Sequence, residues 1–201
     1  MAKNKILAED YTCALDLLAK AQVYPDNLGE GKLPGAQEND IFYWMGCAYK
    51  GLKEDDNANT YWEKATVGLD EPGIALFYND QKPDMLFYQG CAWAKLNHQV
   101  KADTLFSKLI KYGEQNKDAR VTLDYFAVSL PDLLIFETDL NLNNRIHCNY
   151  IAALGYMGRG ESEAAKKLFL EILAIDEMSF GAKSHLYLLE TLSVKEAKLS
   201  Q

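Results

Sequence analysis

The sequence predicts an all-α chain of repeated helix hairpins. Three observations carry that reading: a seven-position pattern that recurs three times in fixed phase, a turn signal inside the copies, and a composition that fits an ordinary folded domain. In the first copy Phe42, Met45, Gly46, Tyr49, Ala58, Trp62 and Ala65 follow at steps of three, one, three, nine, four and three. Leu86, Gln89, Gly90, Trp93, Ala102, Phe106 and Leu109 repeat those steps, as do Asn149, Ala152, Ala153, Tyr156, Ala165, Phe169 and Ile172. Steps of three and four put side chains on one helix face, and the step of nine crosses a turn into a second helix.

Each position has a physical reading. Small residues at Gly46, Gly90 and Ala153 let the paired helix approach closely, and Tyr49, Trp93 and Tyr156 fill the space beside Ala58, Ala102 and Ala165. The turns 51–56 and 158–162 carry glycine after the first helix, and a capping side chain is expected before the second.

These residues resemble the tetratricopeptide pattern, in which an aromatic, a large residue, a glycine and a tyrosine mark the first helix, and an alanine and an aromatic mark the second. The resemblance implies antiparallel hairpins stacked in a right-handed superhelix, here with long inserted loops. The departures are Leu86, Gln89 and Asn149, then Leu109 and Ile172 where alanine is usual, and the missing proline at the end of each unit. They imply irregular stacking.

The whole chain, 1–201, reads as one such domain. Its units are a half-repeat at about 10–26, full units at 40–70 and 84–114, a degenerate unit at 118–140, a unit at 147–177 and a final helix at 180–192. In the half-repeat Ala14, Leu18 and Ala21 fit a second helix closed by Pro25, with the glycine position of its first helix falling at Ala2. A lone leading helix, or a piece of a longer protein, are the two expectations, the second being preferred. Gly46 and Gly90 stand 44 residues apart and Gly90 and Ala153 63 apart, against a usual period of about 34. Insertions therefore fall at 22–39, 66–83 and 116–146. Their apolar residues, Leu28, Leu33, Ile74, Leu76, Phe77 and Tyr78, plug hairpin edges or the loops bind something. Asn141-Leu142-Asn143-Asn144 reads as a helix break.

The loops around Asn27, the Tyr78-Asn79-Asp80-Gln81 stretch and the segment 124–131 also resemble the C-terminal repeat tail of large multidomain bacterial proteins. In those proteins a β-rich region of unknown function precedes the repeats, with a suspected carbohydrate-related role. That resemblance implies the fragment reading and no catalytic residue.

Composition narrows the function classes. Hydrophobic residues make up 48% and charged residues 25% of the chain, which places it among folded proteins. A formal net charge of −8 without clustered Lys or Arg argues against nucleic acid, whose binding depends on releasing phosphate counterions. No apolar run reaches the ~20 residues a bilayer span needs, so no membrane partner is expected. Cys13, Cys47, Cys91 and Cys148 stand far apart inside apolar helical patterns. Reduced thiols in the cytoplasm are the preferred reading, with disulfides the alternative. No metal-ligand spacing, phosphate loop or nucleophile motif is present, so neither metal nor cofactor is expected. His98, His147 and His185 have no evident acid or thiol partner. The expectation is a non-enzyme.

If the first helices line a groove, the stripe facing it is offset from the buried face. The first copy offers Asp40, Tyr43, Cys47 and Lys50, the second Asp84, Phe87, Cys91 and Lys95, and the third His147, Tyr150, Leu154 and Met157. With loop candidates Asn27, Tyr78, Asn79 and Asp80 they form the predicted binding residues for a protein or peptide partner. Cys47 and Cys91 stand where repeat proteins that clamp a C-terminal carboxylate carry asparagine, so the resemblance does not extend to those. The stripe is either binding surface or covered core. A protein-interaction module is therefore the leading expectation. A structural tail packing on another domain of the same polypeptide, or driving self-association, comes second, and an accessory carbohydrate-binding or catalytic element third.

Overall fold

The computed structural model describes residues 1–29, 31–32, 35–73, 82–121 and 139–199. Among them it is all helical, with no strand. The helices are α1 (Ala2–Leu7), α2 (Tyr11–Ala21), α3 (Asn39–Gly51), α4 (Asp55–Ala65), α5 (Pro83–Lys95), α6 (Gln99–Asn116), α7 (Leu140–Gly158), α8 (Ser162–Ile175) and α9 (Phe180–Leu199), with one 3-10 turn at Asp26–Leu28. Neighbouring helices pack as hairpins, α1 on α2, α3 on α4, α5 on α6 and α7 on α8. The first helices also pack on one another, α3 on α5 and α5 on α7.

One turn geometry closes all four hairpins. The second residue after each first helix has a left-handed backbone: Glu9 (φ 64°), Lys53 (φ 65°), Asn97 (φ 63°) and Gly160 (φ 76°). The next residue donates its N–H back five positions, Asp10 to Lys5 O at 2.9 Å, Glu54 to Tyr49 O at 3.0 Å, His98 to Trp93 O at 2.8 Å and Glu161 to Tyr156 O at 2.9 Å. This is the Schellman closure, which satisfies carbonyls left over at a helix end. The expected side-chain caps are absent at Glu54 and Glu161, because glutamate is not among the short side chains that cap a helix start, and the Glu54 carboxylate accepts instead from Asn57 Nδ2 at 2.7 Å. Gly51 is not the left-handed residue either. A Cβ there would lie 2.3 Å from the Tyr11 ring, so its smallness admits α2.

The same closure at Glu9 shows that the half-repeat has a partner helix. α1 is six residues long and matches in phase the last six residues of α3. Longer differences follow downstream. Asn141–Asn144 do not break a helix but lie in α7: the Asp139 carboxylate accepts from the N–H groups of Asn141 and Leu142, both at 3.0 Å, a side-chain N-cap. The final helix runs to Leu199 rather than ending at residue 192. The degenerate unit expected at 118–140 lies mostly outside the described residues, as do Leu33, Ile74, Leu76, Phe77 and Tyr78.

The core is the repeat pattern made solid. Ala58, Ala102 and Ala165 are fully buried, with Trp62, Phe106 and Phe169 beside them. A Cβ at Gly46 would lie 2.4 Å from Trp62, and one at Gly90 2.5 Å from Phe106. Between hairpins, glycines outside the pattern take over. A Cβ at Gly113 would lie 2.4 Å from the Cys148 carbonyl, one at Gly155 2.7 Å from the Phe106 carbonyl, and one at Gly158 2.3 Å from the Phe106 ring. Buried amides then tie helix ends. Asn39 Nδ2 donates to Ala65 O and Val67 O, both at 2.8 Å, and Asn144 Nδ2 to Asn116 O at 2.8 Å. Gln89, one of the departures from the repeat pattern, donates to Leu69 O at 2.9 Å.

Candidate functional site

Helices α1, α3 and α9 meet at one residue, Tyr88 of α5, which is fully buried. Its hydroxyl accepts from Lys3 Nζ of α1 at 2.8 Å and lies 3.1 Å from His185 Nε2 of α9. The other ring nitrogen of His185, Nδ1, lies 3.0 Å from Gly181 O and 3.1 Å from the Tyr150 hydroxyl of α7. A carbonyl only accepts, so Nδ1 carries the proton and Nε2 accepts from Tyr88 O–H. The bonds then run in one direction, from the Lys3 ammonium through Tyr88 and His185 to Gly181.

Burial enforces this arrangement. His185 is 2% exposed and sits among Phe87, Tyr88, Tyr150 and Phe169. Burial, helped by the Lys3 charge, pushes its pKa down to about 3 and keeps it neutral. Burial likewise lowers the Lys3 pKa, against the opposing pull of Asp40 and Asp84. The Lys3 ammonium lies 5.2 Å from the centre of the Tyr88 ring and 5.9 Å from that of Trp44, within range of a cation–π attraction.

Asp40 and Asp84, in the first turns of α3 and α5, face this cluster half-buried. Burial raises both carboxyl pKa values, and the charge of Asp40 raises that of Asp84 further, while Lys3 and Lys82 pull both down. Neither carboxylate makes a contact ion pair among the described residues. Tyr43 completes this end, its ring 5.3 Å from Tyr88 and 5.2 Å from Trp44, with its phenol pKa held well up by burial.

The predicted stripe thus divides. Asp40, Tyr43, Asp84, Phe87 and Tyr150 are gathered around Tyr88. Phe87 and Leu154 are core, 3% and 0% exposed, so at those two positions the covered alternative is the one found. Lys50 is exposed and paired with Asp55 at 2.9 Å. Lys95 is exposed at the same end, near enough to Cys47 and Cys91 for its charge to oppose the rise in their thiol pKa values caused by burial. Met157 is half-buried against the core. His147 stands apart, its Nε2 2.9 Å from Gly73 O. Asn27 is exposed in the 3-10 turn, and Tyr78, Asn79 and Asp80 lie outside the described residues.

Lys3, Trp44, Tyr88 and His185 are the members that the stripe did not include. A signal for Lys3 was available, because it precedes Cys47 by the same 44 residues that separate Cys47 from Cys91. Nothing local marked Tyr88 or His185. Among the described residues no group of three or more His, Cys, Asp or Glu is placed to hold a metal ion, and no helix is long and apolar enough to cross a membrane.

What the fold and this site define is an all-helical stack of hairpins with an acidic, aromatic centre where its first helices meet. In comparison with known proteins, no family model matches the chain, and no solved structure matches it.

Proposed function

We propose that this chain is a non-catalytic interaction module, a tetratricopeptide-like array whose hairpins stack in a right-handed superhelix and whose concave face takes a protein or peptide. The carrying observation is the pair of half-buried carboxylates, Asp40 and Asp84, set beside Tyr43 without a contact cation among the described residues. Backbone N–H groups in the first turns of α3 and α5 compensate them in part, and burying charge that lacks a contact cation is costly. The repeated Schellman turns and the packing of first helix on first helix support the array reading. A non-enzyme is favoured because Tyr88 and His185, the groups best suited to proton transfer, are buried and already bonded to each other. Free thiols at Cys13, Cys47, Cys91 and Cys148 suit a reducing, cytoplasmic setting.

The test is quantitative co-purification of partners from the source cell with native chain, with Tyr43→Ala and with Asp40→Asn/Asp84→Asn, each checked for native helicity. Partner loss in both variants is expected. Undiminished capture by both would remove the concave face from the reading.

A second reading is a structural tail that packs on another domain of the same polypeptide or on a second copy. It is favoured by apolar residues left open along α8, α9 and their connection: Leu170, Ile175, Met178, Phe180 and Tyr187, with Met178 75% and Phe180 82% exposed. Light scattering of the chain at rising concentration checks self-association, and a constant monomer mass counts against that form.

A further inference from the structure

We propose, resting on the interaction-module reading, that the acidic, aromatic end of the concave face is a receptor for a primary ammonium, a lysine side chain of a partner polypeptide, and that Lys3 holds the site in cis. The occupant's chemistry is visible in the site. An ammonium already sits there at the hydroxyl edge of Tyr88, donating to that hydroxyl at 2.8 Å, with the centre of the Trp44 ring 5.9 Å away. Asp40 and Asp84 feel its charge without touching it. Two aromatic rings, a hydroxyl acceptor and two carboxylates suit a compact cation with several N–H donors.

α1 is held by one face alone: none of its residues is buried, and Ala2, Ile6 and Leu7 pack half-buried against the core. Cys47, Cys91 and Leu154 occupy the groove position of Lys3 on α3, α5 and α7, and none of them carries a charge. Among the described residues Lys3 is thus the cation that this repeat position presents to the cage, Lys82 acting on Asp40 and Asp84 only through its charge, and a partner lysine competes with Lys3 directly. The net charge of −8 favours approach of a basic segment.

The experiment uses the full chain carrying Lys3→Ala, which empties the cage, with n-butylammonium as the probe and n-butanol as its uncharged counterpart, followed by calorimetry. Saturable one-to-one binding of the amine alone is expected. Affinity should be at least about tenfold weaker in the native chain, where Lys3 competes, and about tenfold weaker in Lys3→Ala/Asp84→Asn. A Lys3→Ala chain that loses helicity and regains it with n-butylammonium supports the site equally; one that does not regain it overturns the proposal. In the native chain, acetyl-Ala-Lys-Ala-amide should speed hydrogen exchange of the α1 amides, and the same peptide with its lysine acetylated should not. No saturable amine binding to Lys3→Ala, while partner capture still depends on Tyr43, sinks the ammonium site and leaves the interaction module standing.

Discussion

The seams inside the hairpins and the centre around Tyr88 are both densely packed, yet they are made in opposite ways. A seam is local: Gly46 admits Trp62 and Gly90 admits Phe106 across one turn, and the arrangement recurs wherever the sequence recurs. The centre is assembled once, from Lys3, Tyr88, Tyr150 and His185 on four different helices. Tyr88 and His185, 97 residues apart, are joined there by a single hydrogen bond. A repeat protein therefore stores its architecture in what is copied and its individuality in what is not. Phe106 extends its seam to the next hairpin, since Gly90 of its own hairpin and Gly158 of the next close on the same ring.

The sharpest way to break the seam is at that ring. Phe106→Ala should lower the free energy of unfolding by about 4 kcal/mol, because Phe106 is 2% exposed and its loss opens a cavity between two hairpins. Urea unfolding monitored by circular dichroism measures it, and a loss below about 1 kcal/mol would mean that the hairpins do not share this contact. Gly113→Ala should cost about 2 to 3 kcal/mol, since its Cβ would meet the backbone carbonyl of Cys148 at 2.4 Å and backbone yields less readily than a side chain.

The centre should show itself by pH rather than by volume. His185 is neutral in the folded chain with a pKa of about 3, while the unfolded chain protonates it near its ordinary value of about 6.5. Its contribution is complete above that ordinary value and is lost as pH falls through the window toward the folded value, at about 1.4 kcal/mol per pH unit. Asp40 and Asp84 act oppositely, because their raised pKa values favour the folded state as they take up protons. The His185 part is isolated as the difference between native and His185→Gln chains. Parallel stability curves from pH 7 to pH 4 would disprove the neutral buried histidine. Tyr88→Phe should cost about 1 to 3 kcal/mol by stripping Lys3 and His185 of their shared hydroxyl.

The smallest effect separates turn from core. Lys53 holds φ 65° without a hydrogen-bonding reason of its own side chain to do so, and Lys53→Gly should stabilise by about 0.5 to 1 kcal/mol. Gly160 already occupies the equivalent place, so Gly160→Lys should lose a similar amount in the same denaturation assay.

Much of this was legible in the sequence. The three phased copies fixed α3 to α6 and α8 to within a few residues, and they located the glycine–aromatic seams. The break expected at Asn141–Asn144 failed because asparagine serves a turn or a buried clip according to what lies opposite. Here Asn144 finds the Asn116 carbonyl at the end of α6, and Asp139 supplies the cap. Gln89 looked like a decayed repeat position and is instead a ligand of the Leu69 carbonyl. The fold divides the predicted stripe: Asp40, Tyr43, Asp84 and Tyr150 lie toward Tyr88, while Phe87 and Leu154 are enclosed.

The sequence by itself determined the helices, the hairpins and the residues that separate them, since these depend on contacts three, four and a short turn away. Only the tertiary structure decided that α1, α5 and α9 meet at Tyr88. That meeting depends on how each hairpin is set on the next, and such a sum over the whole stack is written at no single position. The repeat encodes each step; where the steps lead is set by packing.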